Sequence, residues 1–166
     1  ALAPNGRTKD RSGIATARGR QVRCGAAWRQ VGVATEALKR TAAYSSARIQ
    51  FGKPLGSMQA VQQRAADAFI DVEAMRSTAL LAAWQIDQGR PQAADIATAK
   101  YWAAIGGHRV VHSAQHLHGG MGADVTYPIH RYFLDAVAIG ETLGGAQPML
   151  AAIGAAVASG QTEALA

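Results

Sequence analysis

The sequence has one cysteine, few aromatic residues and no long apolar run. The single thiol, Cys24, cannot form a disulfide within the chain and fits a reducing compartment. No run of about 18 residues lacks a polar interruption, so no transmembrane span is expected. The scattered arginines near the beginning are not followed by the continuous apolar stretch of a secretory signal. We therefore expect a cytoplasmic location.

Several motifs of catalytic and metal sites are also missing. The chain has neither the His-Glu-x-x-His motif of zinc peptidases nor the Gly-x-Ser-x-Gly turn of serine hydrolases. Its glycine pairs do not follow a predicted strand, so they form no dinucleotide-binding fingerprint. His108, His112 and His116 recur every four residues and would share one helical face, where a histidine pair can bind zinc. With no acidic or cysteine ligand nearby in sequence, we expect hydrogen bonds at a helix end or subunit contact, and no metal site.

The excess of positive charge is confined to the first 29 residues. They hold seven basic residues against one acidic residue, whereas the rest of the chain has ten of each and the net charge is +6. A nucleic-acid-binding face normally extends over the folded body, so no nucleic-acid partner is expected. Residues 1–29 lack a clear apolar stripe and are predicted to be a disordered or non-native tail. A basic arm for an acidic partner, or the altered beginning of a longer protein, are the alternatives.

The remaining chain is rich in alanine and in apolar residues at helical spacing. The pattern predicts long helices from Gln30 onward, over about 58–88 and over about 92–117, with shorter helices after Pro128 and from Ala146 to about Val157. Clusters of glycine and proline separate them. We predict an all-α fold, an antiparallel four-helix bundle over residues 30–158, with 159–166 frayed.

The segment Gln115–Gln147 differs from the long helices on either side. It contains three of the five histidines, two Gly-Gly pairs and a Tyr-Pro step. Glycines allow the backbone to come close to a ligand or a neighbouring chain. We expect the binding site to lie in this segment.

Several motifs resemble the C-terminal helical domain of the acyl-CoA dehydrogenase family, and their order and separation match as well. The resemblance extends over about Val31 to Val157. The motifs are Arg48-Ile49-Gln50-Phe51-Gly52-Lys53-Pro54-Leu55, Gln59, Asp67, His118-Gly119-Gly120-x-Gly122, Tyr127-Pro128 and Asp135. The resemblance implies an FAD enzyme that forms the α,β-double bond of an acyl-CoA thioester. It also implies an N-terminal helical domain and a middle β-domain in a complete subunit.

The resemblance assigns cofactor contacts to individual positions. Arg48 matches an arginine that contacts the FAD pyrophosphate across a subunit interface, a role suited to the forked guanidinium. Gly119 and Gly120 match glycines whose backbone lies along the cofactor. The other positions implied to contact FAD are Phe51, Gln59, His116, Gly145 and Gln147.

Two positions depart from the family pattern. His116 stands where glutamine is common, which resembles subunits of actinobacterial steroid-degrading complexes. The usual catalytic glutamate falls on Leu143, and the family's alternative position for this base falls near Val22. Glu141 is two residues from Leu143, about 200° around a helix, so we do not expect it to substitute.

The chain therefore resembles the non-catalytic partner in heteromeric dehydrogenases. This implies no catalytic residue in the chain itself, an FAD shared with another chain or domain, an acyl-CoA substrate, and assembly with homologous or identical dehydrogenase subunits. The alternative function is a helical interaction module that has lost FAD binding.

Overall fold

The computed structural model describes residues 7–160, with side chains from Thr16 onward. It confirms the all-α prediction, apart from one hairpin of two very short strands. The helices are α1 (Arg7–Ala47), α2 (Gln59–Asp87), α3 (Ala93–His118), α4 (Gly120–Ala123), α5 (Ile129–Glu141) and α6 (Ala146–Ala158). Strands β1 (Ile49–Gln50) and β2 (Lys53–Pro54) pair antiparallel, and a 3-10 turn, Leu55–Ser57, leads into α2.

The first helix begins at Arg7 and not at Gln30, so residues 7–29 are not separate from the helical body. Cys24 and Ala27 are buried in the same core as Val31 and Ala34, because their spacing continues the apolar stripe toward the N-terminus. Small apolar residues between arginines gave little signal in the sequence. Residues 1–6 and 161–166, which include most of the predicted C-terminal tail, lie outside the described residues.

Helix α3 is the centre of the fold. It packs against α1, α2, α5 and α6, while α1 also contacts α2 and α5. The fourth position of the predicted bundle is thus shared by two short helices, α5 and α6. In the described residues, no helix is long and apolar enough to cross a membrane.

Two glycines, Gly106 and Gly107, let the neighbouring helices approach α3 closely. A Cβ at Gly106 would lie 3.2 Å from Met75 Cγ, and one at Gly107 would overlap the fully buried side chain of Gln30. Gln30 Nε2 also donates a hydrogen bond of 3.2 Å to the Ala136 carbonyl. This joint fixes α1, α3 and α5 relative to one another.

A charged pair connects α2 to α3. Arg109 donates hydrogen bonds to both carboxylate oxygens of the buried Asp71, with a distance of 2.9 Å from Nε to Oδ2. The guanidinium carbon also lies 5.7 Å from the ring centre of Trp102. The hydrogen bond to Asp71 contributes most to raising the pKa of Arg109, which favours the charged guanidinium.

Candidate functional site

Arg48 lies directly after α1, where the chain turns into the hairpin. Its backbone N–H bonds the Tyr44 carbonyl at 2.8 Å, and its own carbonyl accepts from Leu55 N–H at 2.9 Å. The side chain is exposed. With the Gln50 amide turned so that its oxygen accepts, the guanidinium Nη2 and Nε lie 2.8 and 3.2 Å from it. No carboxylate within residues 16–160 forms an ion pair with Arg48, so its charge remains open to an external anion.

The hairpin turn presents Phe51 to solvent. Phe51 has φ 53° and Gly52 has φ 77°, which are the left-handed values that a tight two-residue hairpin turn requires. This conformation is unfavourable for phenylalanine, and yet its side chain is 89% exposed and gains little packing here. The strain is thus not offset by burial within this chain.

The end of α3 is held by a buried histidine. His118 stacks on Tyr44 with ring centres 4.3 Å apart, and its ring lies 5.4 Å from that of Tyr127. Its Nδ1 donates to the Ala114 carbonyl at 2.7 Å, which leaves a buried Nε2 without a partner in the described residues. Burial lowers the pKa of His118, only partly opposed by the hydrogen bond to Ala114, and the ring is neutral at pH 7. Sequence reasoning treated His118 only as part of a motif and missed this stack.

The glycines after His118 differ in what surrounds them. Gly119 ends α3 with φ 60° and ψ −138°, a conformation open mainly to glycine. A Cβ at Gly119 or Gly120 would meet no atom within 4 Å, whereas one at Gly122 would lie 2.5 Å from the Gln115 carbonyl oxygen. Packing within the described chain thus requires glycine at position 122. At Gly119 and Gly120 it leaves the backbone open to an external group.

These residues share one end of the molecule, which we call the hairpin end. The Tyr44–His118 stack joins the end of α1 to the end of α3, and Gly56 lies against the Ser45 backbone before α2 begins at Gln59. Of the predicted cofactor contacts, the hairpin end holds Arg48, Phe51, Gln59, His116, Gly119 and Gly120. The side chains of Gln59 and His116 are exposed there.

Leu143 and the two remaining predicted contacts lie elsewhere, around residues 142–145, which we call the α5–α6 elbow. Leu143 is outside any helix and has φ 64°, followed by Gly144 with φ 98°. Gly145 caps the start of α6, and Gln147 is exposed in its first turn.

Leu143 contributes to an open pocket of about 360 Å³, which we call the elbow pocket. Val22 of α1 lines the same pocket, so the structure brings together the two positions where a base was expected. The full lining is Val22, Gly25, Ala26, Arg29, Ile139, Thr142 and Leu143, with no carboxylate among these residues.

Glu141 is not among the residues that line the elbow pocket. A Cβ at Gly145 would lie 2.9 Å from Glu141 Oε2, which puts this carboxylate beside the start of α6. Glu141 lines a different pocket, of about 270 Å³, together with Ala104 and Gly140. That Glu141 is no direct substitute for the usual base stays a prediction.

The hairpin end and the elbow are far apart within the chain. Val22 and Tyr44 lie on the same helix, and their separation of 22 residues corresponds to about 33 Å at 1.5 Å per residue. The structure therefore divides the predicted cofactor residues into two sets, which cannot close around one small group.

The histidines on α3 form a pair and not a larger cluster. Nε2 of His108 lies 3.0 Å from Nε2 of His112. Burial lowers the pKa of His112, and repulsion from the charge of His108 lowers it further. From Thr16 to Gly160, no group of three or more histidine, cysteine or acidic side chains is placed to hold a metal ion. The pair lines a pocket of about 840 Å³ between α2 and α3, which holds none of the predicted cofactor residues.

Sequence comparison identifies relatives over most of the described chain. A family model, "Acyl-CoA dehydrogenase, C-terminal domain", matches residues 13–158. The chain is 48% identical over 133 residues to acyl-CoA dehydrogenase FadE27 of Mycobacterium tuberculosis, covering 75% of this chain and 36% of that protein. It is 35% identical over 124 residues to FadE28 of the same organism, with coverage of 75% and 37%. The chain thus spans little more than a third of the length of these relatives.

Solved structures give the same result. A Tcur3481–Tcur3483 steroid ACAD variant superposes with a TM-score of 0.81 at 48% identity, over 84% of this chain and 38% of that one. The ChsE4–ChsE5 complex from Mycobacterium tuberculosis gives 0.81 at 45% identity, with the same coverage. Glutaryl-coenzyme A dehydrogenase bound to glutaryl-CoA gives 0.85 at 31% identity, over 88% and 37%.

Proposed function

Because the chain belongs to the acyl-CoA dehydrogenase C-terminal domain family, we propose that it serves a flavin-dependent acyl-CoA dehydrogenase as a bundle without its own base. In this proposal another chain or domain supplies the carboxylate that removes the α-proton of the acyl-CoA. The assembly is a heteromeric one of the steroid-degrading type.

The elbow pocket is the observation that carries this proposal. Proton abstraction requires a group with a suitable pKa within reach of the substrate. The family resemblance places that group at Leu143 or near Val22. Both residues line one pocket, and neither side chain can accept a proton. Arg29, the only charged residue of the lining, is a cation and cannot act as a base at neutral pH. The pocket can hold an apolar acyl portion but cannot start the reaction.

The hairpin end fits the nucleotide part of FAD. When bound, FAD would supply the acceptor for the hydride that leaves the substrate. Arg48 has no carboxylate partner in the described chain and offers a fork of donors to a pyrophosphate. The open backbone at Gly119 and Gly120 allows a flat or extended group to lie close, and Phe51 offers an exposed apolar ring.

The distance between the two sets supports a shared cofactor site. A separation of about 33 Å along α1 is too large for the hairpin end and the elbow to contact the same part of one FAD. In an assembly, the hairpin end of this chain would contribute to a site centred on a neighbouring subunit. The elbow would face the site that belongs to this chain itself. Related proteins have been solved as a two-component complex, ChsE4–ChsE5, and as a steroid ACAD.

Co-expression with a candidate base-carrying dehydrogenase subunit tests the proposal. The expected result is a stable yellow complex with the absorption spectrum of bound flavin and activity on a steroid acyl-CoA. A complex that forms but stays colourless after FAD is added would refute the flavin role. Activity of this chain in the absence of any carboxylate-bearing partner would refute the missing base.

Leu143→Glu tests the base position directly. If the elbow pocket receives the acyl group, a carboxylate there should add turnover to a complex whose partner has lost its own base. Leu134→Glu, which places a glutamate at an exposed position of α5, is the matched control and should add none. Equal turnover from both variants would contradict the assignment of the pocket.

One observation favours the alternative function, a helical interaction module. Helix α2 exposes several large apolar side chains, namely Phe69, Ile70, Leu80, Leu81 and Trp84. Exposed apolar surface of this kind is typical of a protein contact. Tight binding of a dehydrogenase subunit that is unaffected by FAD and by Arg48→Ala would favour this module over the flavin role.

A further inference from the structure

Among the described residues, Lys100 is the largest side chain that is completely buried. It lies in the first half of α3, at 0% exposure, among small residues such as Ala99 and Ala103. Its Nζ donates hydrogen bonds of 3.2 Å to the Ile139 carbonyl and 2.6 Å to the Gly140 carbonyl. A buried ammonium is costly and is rarely the most stable choice for a core position. Its presence therefore calls for a specific role.

The two carbonyls belong to the last turn of α5. The final carbonyls of a helix have no partner within the helix and favour a nearby positive charge. The N–H groups of Thr142 and Gly144 bond other carbonyls in this turn. Lys100 thus satisfies Ile139 and Gly140 from a different helix, immediately before the chain leaves α5.

The chain just after this contact adopts an unfavourable conformation. Leu143 has a positive φ of 64°, a value that costs energy for a side chain with a Cβ and persists only where the surroundings enforce it. On the far side of the elbow, the buried Met149 packs beside Gly144, where a Cβ would lie 3.2 Å from its methyl group. The elbow is therefore held on both sides, by Lys100 before it and by Met149 after it.

We propose that Lys100 is a positioning residue, which clamps the end of α5 and so keeps Leu143 in the elbow pocket and Gly145 at the start of α6. The clamp acts on backbone carbonyls and not on a ligand. Its consequence for flavin and acyl-CoA contacts rests on the proposed function, whereas the clamp itself is a property of the fold.

The electrostatic surroundings of Lys100 tie its charge to the end of α5. Burial lowers the pKa of the Lys100 ammonium, Glu141 on α5 opposes this by attraction, and Arg23 on α1 adds to it by repulsion. The two carbonyls and Glu141 are the negative groups that keep the ammonium in place. All lie within the last turn of α5, so the position of the charge and the position of that turn depend on each other.

Hydrogen–deuterium exchange of the full chain, without flavin or partner, tests the clamp. Lys100→Met keeps the length and apolar stem but removes the donors. Amides of residues 142–147 should exchange about tenfold faster or more, because two buried carbonyls lose their partner. Amides at the hairpin end should be unchanged, and Lys39→Met, at an exposed lysine of α1, should change neither region.

Unchanged exchange at 142–147 in a folded Lys100→Met protein would overturn the proposal. So would an equal increase in all helices, which would show general destabilisation and no local clamp. If Lys100→Met does not fold, Lys100→Gln tests the clamp instead, because the glutamine amide can still donate a hydrogen bond but carries no charge. There the elbow should exchange faster than in the parent chain, and no difference would overturn the clamp. None of these results depends on flavin binding, so a failure of the clamp is distinct from a failure of the proposed function.

Discussion

The hairpin end and the α5–α6 elbow differ in how far contacts within the chain hold their backbone. At the hairpin end, strained or open backbone is exposed to solvent, together with an arginine that forms no ion pair within the described residues. At the elbow, a strained leucine follows a helix turn whose carbonyls accept hydrogen bonds from a buried lysine of another helix. The hairpin end is an exposed surface suited to bind an external group. The elbow is one side of a pocket whose shape is set by contacts within the chain. At the elbow, the lack of an acidic side chain in the pocket thus coincides with a backbone conformation that contacts within the chain hold in place.

The largest effect is expected where α1 and α3 meet between the two regions. Gly107→Ala would place a Cβ on the buried Gln30 side chain and displace its hydrogen bond to Ala136. We expect a loss of about 3 kcal/mol in the free energy of unfolding, measured by urea denaturation. Gly32→Ala, where no atom lies within 4 Å, should instead add about 0.5–1 kcal/mol. A similar change in the free energy of unfolding for both variants would show that the contact between Gln30 and Gly107 does not fix the spacing of the hairpin end and the elbow.

Arg48→Ala tests whether the hairpin end waits for an anion. Removal of a charge-assisted contact to a phosphate should weaken FAD binding in the reconstituted complex by about 1.5–3 kcal/mol. The measurement is flavin retention by absorbance after dilution and filtration. Arg90→Ala, at an exposed arginine between α2 and α3, should retain flavin like the parent. Unchanged retention in Arg48→Ala would refute its assigned role.

Phe51→Gly separates strain from function at the same end. Glycine adopts the φ of 53° without penalty, so the free energy of unfolding should rise by about 1 kcal/mol. Flavin retention should fall, since the exposed ring is lost. Gly52→Ala is the reverse control and should be destabilising at φ 77°. If Phe51→Gly left both stability and flavin retention unchanged, the exposed ring would be neither strained nor functional.

The smallest expected effect is the pH dependence from His118. Because its pKa is lower in the folded protein than in the unfolded chain, the unfolded state takes up the proton first as pH falls. Stability contributed by neutral His118 should therefore decline as pH falls from its usual pKa near 6.5 through the lowered value. His118→Phe keeps a ring between Tyr44 and Tyr127 and should flatten this part of a pH series of urea denaturations. An unchanged profile would mean that the buried ring does not titrate with folding.

The outcome for particular residues shows how far the sequence could be interpreted. The helices from Gln30 onward and the glycine breaks followed from local periodicity and residue type. The cofactor contacts at the hairpin end rest on motif spacing and stay predictions. The N-terminal extension of α1 was missed because Cys24 and Ala27 are small and stand among arginines. Their burial depends on α2 and α3, which local spacing does not describe.

By itself, the sequence determined that the chain is helical, that it belongs with the acyl-CoA dehydrogenases, and that no acid stands at Val22 or Leu143. Those properties are carried by residue type and by separation along the chain. Only the tertiary structure decided that Val22 and Leu143 face one pocket, and that Lys100 secures the elbow beside it. These contacts join residues up to 121 positions apart, and their energies come from burial and hydrogen bonding between helices, which exist only once α1, α3 and α5 have packed.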